Sequence, residues 1–341
     1  MIPLIFSGET EKHSKEIVLA GDLGGTKMNL ALYEVQGNSM KVITAQQYHP
    51  KDYASLDDII KTFLATLPQK PESICIGVAG PVINNTAEIV NLSWMANGAE
   101  IKAFTGLTEV LLINDLEATA YGLACLEDSD MIVIQQGKFI AGNIAIVAPG
   151  TGLGEAGLYW DGKVYHPFAT EGGHADFTPR TDTDIALLKF LQQSHNNAVS
   201  CEHLISGPGI FNIYTFLRDV QKMEEPAALT EEMKLEDDSA VISKAAIDHK
   251  IPICIETMQL FIKYLARECA NMVLKMKATG GLYLGGGIPP KIAPLLKTDF
   301  FIQQYLDCDR MQDLIKAVPI KIIKNDKAAL MGAAYYAAYA M

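Results

Sequence analysis

The alternation of apolar and polar positions near the start of the chain predicts two β-strands joined by a glycine-rich turn. Residues 17–20 are apolar, residues 21–26 read Gly-Asp-Leu-Gly-Gly-Thr, and apolar side chains recur with a period near two from residue 29 to residue 35. That period favours a strand over a helix. We therefore predict strand, turn and strand, with the ordered fold beginning near Glu16.

The same pattern returns near the middle of the chain. An apolar run at 144–148 precedes the turn Pro-Gly-Thr-Gly-Leu-Gly at 149–154 and a second run at 156–160. The next two residues, Asp161 and Gly162, are typical of a hairpin. Two copies of one unit predict a duplicated core, with one copy in each of two lobes.

Strand-like runs alternate with helix-like runs in the rest of the chain. Helical spacing of apolar residues, or an alanine-rich composition, predicts helices at 56–67, 182–193, 252–277 and 328–340. Short apolar runs predict strands at 74–78, 110–113 and 282–284. The acidic stretch 221–238 is expected to be exposed. Strands that alternate with helices predict the α/β class.

Length and charge narrow the functional classes. The 341 residues exceed what one hydrophobic core usually serves, which predicts two domains. The net charge of −12 makes nucleic acid and anionic membranes poor candidates for partners. A small polyphosphate is still compatible with that charge, because backbone N–H groups and a metal ion can hold it locally.

Cysteine spacing and hydropathy indicate a reducing compartment. The six cysteines are scattered, with no C-x-x-C pair and no metal-ligand spacing. No stretch approaches the roughly 18 to 20 apolar residues that a transmembrane helix needs. The first fifteen residues carry several charges and no apolar core of signal-peptide length. We expect a cytoplasmic protein with a polar N-terminal leader.

The two glycine turns are candidate phosphate-binding loops. A turn between strands can direct several backbone N–H groups to one point, and glycine lets a phosphate approach closely. Thr26 and Thr151 add hydroxyl donors, and Asp22 is a candidate to support Mg²⁺ through water. Neither turn has the order of a P-loop or the spacing of a Rossmann turn. A tight hairpin without a ligand is the alternative for each.

Asp115 follows the predicted strand 110–113, where a helix is expected to begin. An aspartate there is either a helix N-cap or a carboxylate at the mouth of an α/β sheet, where ligands bind. A hydroxyl that attacks a γ-phosphate needs a carboxylate to orient it and to accept its proton, an effect of roughly 10² to 10⁴ in rate. Both interpretations stay open at this point.

Two further segments are candidate ligands for a polyol. The sequence Glu171-Gly-Gly-His174 predicts a turn, and a carboxylate beside an imidazole suits hydrogen bonding to hydroxyl groups. A solvated surface turn is the alternative. Glu202 and His203 lie where a helix is expected to start, just before the Ser-Gly-Pro-Gly segment at 206–209. That pair alone is unremarkable.

Taken in order, these segments resemble the bacterial glucokinase branch of the hexokinase and actin-like ATPase superfamily. The matches span nearly the whole chain from residue 17 onward. They are Gly21-Asp22-Leu23-Gly24-Gly25-Thr26, Ile113-Asn114-Asp115, Gly150-Thr151-Gly152-Leu153-Gly154, Glu171-Gly172-Gly173-His174, Glu202 with Ser206-Gly207-Pro208-Gly209, and Gly285-Gly286-Gly287. Two features depart from the family pattern. One is the extra leader before Glu16, and the other is Lys27, which stands where this branch often has Asn. The cysteine-rich zinc motif and the helix-turn-helix extension of the related sugar kinase and repressor branch are missing.

The resemblance implies a two-lobed α/β fold of the actin-like ATPase (ribonuclease H-like) type. Its duplicated mixed β-sheet cores would be flanked by helices and separated by an interlobe cleft. The implied domains are a leader at 1–16, a small lobe at 17–124 completed by the C-terminal helix at 325–341, and a large lobe at 125–324. The implied activity is ATP-dependent phosphorylation of glucose at the 6-hydroxyl, the first step of glycolysis, with Mg²⁺. A homodimer is the family expectation.

The family's site residues carry over to matching positions of this chain. Asp115 would be the general base toward the sugar 6-hydroxyl. Sugar hydroxyls would be bound by Asn114, Glu171, His174 and Glu202. ATP would be bound by Gly21, Asp22, Leu23, Gly24, Gly25, Thr26, Gly150, Thr151, Gly152 and Gly286, and Asp22 would also reach Mg²⁺ through water.

Three alternatives remain open at the level of sequence. The first is a kinase whose substrate is another hexose, such as mannose, fructose or an N-acetylated amino sugar. The second is a non-catalytic sugar sensor, against which Asp115 and both glycine turns argue. The third is an actin-like or chaperone-type ATPase, which would need a water-positioning residue in place of Glu171, His174 and Glu202.

Overall fold

A computed structural model describes residues 2–4, 15–36, 39–89, 92–195 and 197–340. Two compact units make up the chain. Unit 1 consists of Met1–Asp130, Ala156–Ala169 and Asn325–Met341, and unit 2 consists of Met131–Glu155 and Thr170–Lys324. Each unit has its own hydrophobic core.

Strands and helices alternate along most of the chain, as the α/β prediction requires. The strands are β1 (Glu16–Leu23), β2 (Met28–Gln36), β3 (Ser39–Tyr48), β4 (Ser73–Val78), β5 (Thr86–Ile89), β6 (Trp94–Asn97), β7 (Glu109–Asn114), β8 (Met131–Gln135), β9 (Ile144–Pro149), β10 (Leu153–Trp160), β11 (Tyr165–Thr170), β12 (Gly281–Leu284) and β13 (Ile320–Ile323). The α-helices are α1 (Leu56–Leu64), α2 (Gly98–Thr105), α3 (Asp115–Gly122), α4 (Asp182–Gln192), α5 (Gly207–Asp219), α6 (Ala227–Met233), α7 (Asp238–Lys244), α8 (Pro252–Met276), α9 (Ala293–Leu296), α10 (Asp299–Tyr305), α11 (Gln312–Lys316) and α12 (Ala328–Tyr339). Short 3₁₀-helices lie at Pro50–Asp52, Asp128–Asp130, Gly172–His174, Cys201–His203 and Asp309–Met311, and a π-helical turn lies at Ala245–His249.

The two large sheets have the same strand order. The first is β3-β2-β1-β4-β7, and the second is β11-β10-β9-β12-β13 with β8 added at its edge. When the strands of each sheet are numbered along the chain, starting from β1 in the first sheet and from β9 in the second, the spatial order in both is third, second, first, fourth, fifth. In each sheet the first, fourth and fifth strands are parallel neighbours. The duplicated core predicted from the two glycine turns is therefore confirmed.

Both glycine turns are shorter than the sequence pattern predicts. Gly21, Asp22 and Leu23 belong to β1 and are paired with β2 on one side and with β4 on the other. The first turn is therefore residues 24–27, closed by a 2.9 Å hydrogen bond from the Gly24 N–H to the Lys27 carbonyl. In the second, β10 already begins at Leu153, which leaves residues 150–152 as the turn.

The predicted helices are present with small shifts at their ends, and α12 packs against α3 and β1. The stretch 221–238 is mostly exposed or half-buried, as expected, although it contains helix α6, whose Leu229 is buried in the core of unit 2. In the predicted polar leader, Leu4 is fully buried and forms a β-bridge with Tyr165. Residues 5–14 of that leader lie outside the described part of the chain.

Among the residues that the structure describes, no helix is both long enough and apolar enough to cross a membrane.

Candidate active site

The first glycine turn and Asp115 follow strands that end at one edge of the unit 1 sheet. Strands β1, β4 and β7 are parallel neighbours, and their register aligns Leu23, Val78 and Asn114. Because neighbouring strands lie about 4.8 Å apart, the backbones of Leu23 and Asn114 are separated by roughly 10 Å. The turn at 24–27 and Asp115 come directly after these positions, so a candidate phosphate loop and a carboxylate share this edge.

Gly77 in β4 lets these two features approach each other. A Cβ on Gly77 would lie 3.6 Å from the Gly21 carbonyl oxygen, 3.6 Å from the Asp115 Cα and 3.1 Å from the Ala118 Cβ. A larger side chain would push β1 and α3 apart at the site. Sequence reasoning missed Gly77, although a glycine inside an apolar strand is a known sign of close backbone approach.

Asn114, rather than Asp115, caps helix α3. Its Oδ1 accepts hydrogen bonds from the N–H groups of Leu116 (2.9 Å) and Glu117 (3.2 Å), and its Nδ2 donates to the Gly80 carbonyl (3.1 Å). The interpretation of Asp115 as an N-cap was therefore wrong. Asp115 is the first helical residue, and its Oδ1 accepts a 2.9 Å hydrogen bond from the Leu116 N–H. That bond fixes the carboxylate at the positive end of the helix.

Asp22 presents a half-buried carboxylate just before the first turn. Asn29 Nδ2 lies 3.5 Å from its Oδ2, and Gln47 Nε2 in turn donates to Asn29 Oδ1 at 3.0 Å. Burial raises the pKa of Asp22, the hydrogen bond from Asn29 opposes the rise, and repulsion from Asp326 adds to it. A cation near Asp22 would relieve that cost. Asp326 was not predicted, since it comes from the far end of the sequence.

In unit 2, the second glycine turn meets two other glycine segments. The Gly150 N–H donates to the Gly152 carbonyl, and the Gly150 carbonyl accepts from the N–H of Gly207 at the start of α5, both at 2.8 Å. Gly286 follows β12 with a φ of +77°, and a Cβ there would collide with the Pro149 carbonyl. Backbone N–H groups at a turn and a helix N-terminus are together suited to an anion.

Glu202 is attached to this second turn. Its Oε2 accepts a 2.8 Å hydrogen bond from the Leu153 N–H, and a Cβ on Gly152 would lie only 2.5 Å from the same oxygen. The Ser206 hydroxyl donates to the Glu202 carbonyl at 2.7 Å. A residue that looked unremarkable in the sequence is therefore held against a candidate phosphate loop.

The segment from Glu171 to His174 forms the predicted turn. His174 Nε2 lies 3.9 Å from Glu171 Oε2, and both side chains are more than half exposed. The turn rests directly on β10, because a Cβ on Gly173 would collide with the Leu153 carbonyl. Glu171, His174 and Glu202 thus all surround the start of β10, within unit 2.

The predicted site residues fall into two groups, one in each unit. Asn114, Asp115 and the first glycine turn belong to unit 1, whereas the predicted sugar ligands after residue 170 and the second turn belong to unit 2. In the described part of the chain, no group of three or more His, Cys, Asp or Glu side chains is arranged to hold a metal ion. Mg²⁺ usually keeps several waters and relies on substrate phosphates, which one or two carboxylates can support.

Comparison with known proteins identifies the family of this chain. The family model described as glucokinase matches residues 19–340. The glucokinase of Trichormus variabilis is 38% identical over 340 residues, covering 94% of this chain and 99% of that protein. A crystal structure of glucokinase from an Antarctic psychrotroph has a TM-score of 0.80 at 29% identity, covering 95% and 99% of the two chains. A ROK family glucokinase from Streptomyces griseus, solved with glucose and AMPPNP, has a TM-score of 0.63 at 18% identity, covering 94% and 99%.

Proposed function

The chain belongs to the glucokinase family, and we propose that it transfers the γ-phosphoryl group of ATP to the 6-hydroxyl of glucose. The products are glucose 6-phosphate and ADP. One observation carries the proposal: the first glycine turn and Asp115 follow aligned strands at one sheet edge. A phosphate loop beside a fixed carboxylate is what phosphoryl transfer to an alcohol requires.

In this proposal Asp115 acts on the sugar hydroxyl. Its carboxylate orients the 6-hydroxyl and accepts its proton while the sugar oxygen bonds to the γ-phosphorus. The bond from the γ-phosphorus to the bridging oxygen breaks, and ADP leaves with that electron pair. Asn114 contributes by capping α3, which keeps Asp115 at the helix start.

Four side chains are proposed to orient the sugar. Glu171, His174 and Glu202 offer carboxylate and imidazole partners for hydroxyl groups. Asn114 donates one Nδ2 hydrogen to the Gly80 carbonyl, and we assign its second Nδ2 hydrogen to a sugar hydroxyl. These four contacts would hold the 6-hydroxyl in line with the phosphate, a positioning effect that contributes to the rate.

The phosphates of ATP would be bound mainly by the turns at 24–27 and 150–152, with Gly286 beside the second. Gly21 and Leu23 would act indirectly, since their backbones are paired in the sheet and Leu23 is fully buried. We propose that Mg²⁺ is held through water by Asp22, with Asp326 adding negative charge. When bound, the ion would neutralise charge on the phosphates.

We also propose a cellular location and an oligomeric state. All six cysteines are free thiols, which supports a cytoplasmic location. The lobe boundaries near residues 124 and 324 and a homodimer remain predictions from the family resemblance. Light scattering of the purified chain would test the dimer.

The test is release of ADP from MgATP across a hexose panel that includes glucose, mannose, fructose and N-acetylglucosamine. We expect glucose to give the highest kcat/KM and the sugar-free reaction to give only a trace. Faster turnover of another hexose would reassign the substrate. Sugar binding without hexose-dependent ADP release would instead support a non-catalytic sensor.

A further inference from the structure

Glu155 is a buried acid that the proposed chemistry does not use. It lies on β10, two residues after Leu153, and is 1% exposed. Within the described residues, neither carboxylate oxygen of Glu155 has a hydrogen-bond partner. An unpaired carboxylate in such a place is far more costly as an anion than as a neutral acid.

This side chain lies directly beneath the turn that carries Glu171 and His174. A Cβ on Gly172 would collide with Glu155 Oε2, so the carboxylate packs against the backbone of the turn. The Thr170 hydroxyl donates to the Glu155 carbonyl at 3.0 Å and accepts from the Gly172 N–H at 3.2 Å. Backbone and side chain of Glu155 therefore both contact this turn.

The charged neighbours of Glu155 come mainly from helix α8. The titratable groups around it are Glu268, Cys269 and Lys275 on α8, Cys201 on the 3₁₀-helix, and Glu171 and His174 on the turn. Glu268 is almost fully buried, and its Oε1 lies 3.5 Å from the Nζ of the exposed Lys275. Burial raises the pKa of both thiols, so they stay neutral where Glu155 titrates.

The same environment changes the pKa of Glu155. Burial raises the pKa of Glu155 to about 8, repulsion from Glu268 adds to the rise, and Lys275 opposes it. Glu268 and Lys275 also line a cavity of about 200 Å³. An ionised Glu155 would be attracted to Lys275 and to water, at the expense of its packing against Gly172.

We propose that Glu155 is a positioning residue that holds the Glu171–His174 turn ready for sugar only while its side chain is a neutral carboxylic acid. This inference rests on the proposed sugar kinase function. Glu155 does not touch the sugar, and its effect passes through Gly172 to Glu171 and His174. Ionisation would therefore weaken glucose binding more than it would change the affinity for ATP.

The experiment measures kcat, glucose KM and ATP KM from pH 6 to pH 10, together with calorimetric glucose binding at pH 7 and pH 9. If the natural chain cannot bind glucose once Glu155 is ionised, its glucose KM should rise roughly tenfold between pH 7 and pH 9. Glu155→Gln, which cannot ionise, should keep the KM of pH 7 at all pH values. Lys275→Met should move the rise to higher pH, and Glu268→Gln should move it to lower pH.

Lys189→Met is the matched control, since it removes an exposed lysine on α4 without changing the surroundings of Glu155. It should leave the profile in place. A glucose KM that stays flat in the natural chain, or a rise that persists in Glu155→Gln, would overturn the positioning role. Should Glu155→Gln not fold, an unshifted profile in Lys275→Met would overturn it. Absence of hexose-dependent ADP release at pH 7 would overturn the proposed function, and this inference with it.

Discussion

The carboxylate of Glu202 accepts a hydrogen bond from the Leu153 backbone N–H at 2.8 Å. This contact joins a proposed sugar ligand to the strand that leaves the second glycine turn. It also explains why residue 152 is glycine, since a Cβ there would lie 2.5 Å from Glu202 Oε2. The position of the sugar ligand and the shape of the phosphate loop therefore depend on each other.

Gly152→Ala should weaken the binding of both substrates. The new methyl group must displace Glu202 or the turn, and overpacking of this kind costs about 1–3 kcal/mol. We expect glucose KM and ATP KM to rise about tenfold or more in steady-state assays. Glu202→Asp shortens the side chain and moves the carboxylate away from residue 152. In a chain that carries Glu202→Asp, Gly152→Ala should therefore raise the two KM values less. Strict additivity of the two changes would contradict the steric explanation.

Asp115→Asn should lose most of the turnover. The amide keeps the size of the carboxylate but cannot accept the proton of the 6-hydroxyl, so kcat should fall by roughly 10² to 10⁴. Glucose KM should change little, because the role belongs to the transition state. Glu109→Gln, at the exposed start of β7, the strand that leads to Asp115, is the control and should behave like the natural chain. An unchanged kcat in Asp115→Asn would remove Asp115 from the role of base.

Local patterns predicted the strands and turns but not their limits. The alternation at 29–35 and the glycines at 21–26 are properties of short segments, and they predicted the strand β2 and the presence of a turn before it. The three residues Gly21, Asp22 and Leu23 were assigned to the turn because they contain no apolar run. They are strand residues because β4, which lies some fifty residues further on, pairs with them.

Side-chain environments were the least predictable part of the site. Asp115 lies at the start of a helix, as predicted, but its relation to Asn114 depends on which residue adopts the extended backbone of a cap, and the sequence allows either. Glu155 resembles any acid after a glycine turn. Two of the groups that act on it, Glu268 and Lys275, lie on α8, more than a hundred residues away, so no local pattern reveals its environment.

Asp184→Asn should destabilise unit 2 without touching the proposed chemistry. Asp184 is fully buried and accepts hydrogen bonds at 2.8 Å from Lys263 and Arg267, which hold the pKa of its carboxyl well below its usual range. Breaking such a buried network costs about 3–5 kcal/mol, because two cations lose their partner. Urea unfolding measures this, with the exposed Asp182→Asn on the same helix as control. Equal stabilities of the two variants would refute the assignment.

The free energy of unfolding should depend on pH because of the proton that Glu155 carries. Below about pH 4.5 both folded and unfolded chains hold this proton, so the residue causes no pH dependence. Between that pH and about 8 only the folded chain holds it. Stability should therefore fall as pH rises, by at most about 1.4 kcal/mol per pH unit, and the loss is complete above the folded pKa.

Glu155→Gln has no proton to lose, so its stability should rise relative to the natural chain across the same interval and level off above about pH 8. Urea unfolding at pH 5, 6, 7, 8 and 9 measures the difference, and groups common to both chains cancel in it. Glu88→Gln, an exposed strand residue, should instead follow the natural chain. If Glu155→Gln also ran parallel to the natural chain, Glu155 would already be ionised in the folded protein, and its neutral role would have to be abandoned.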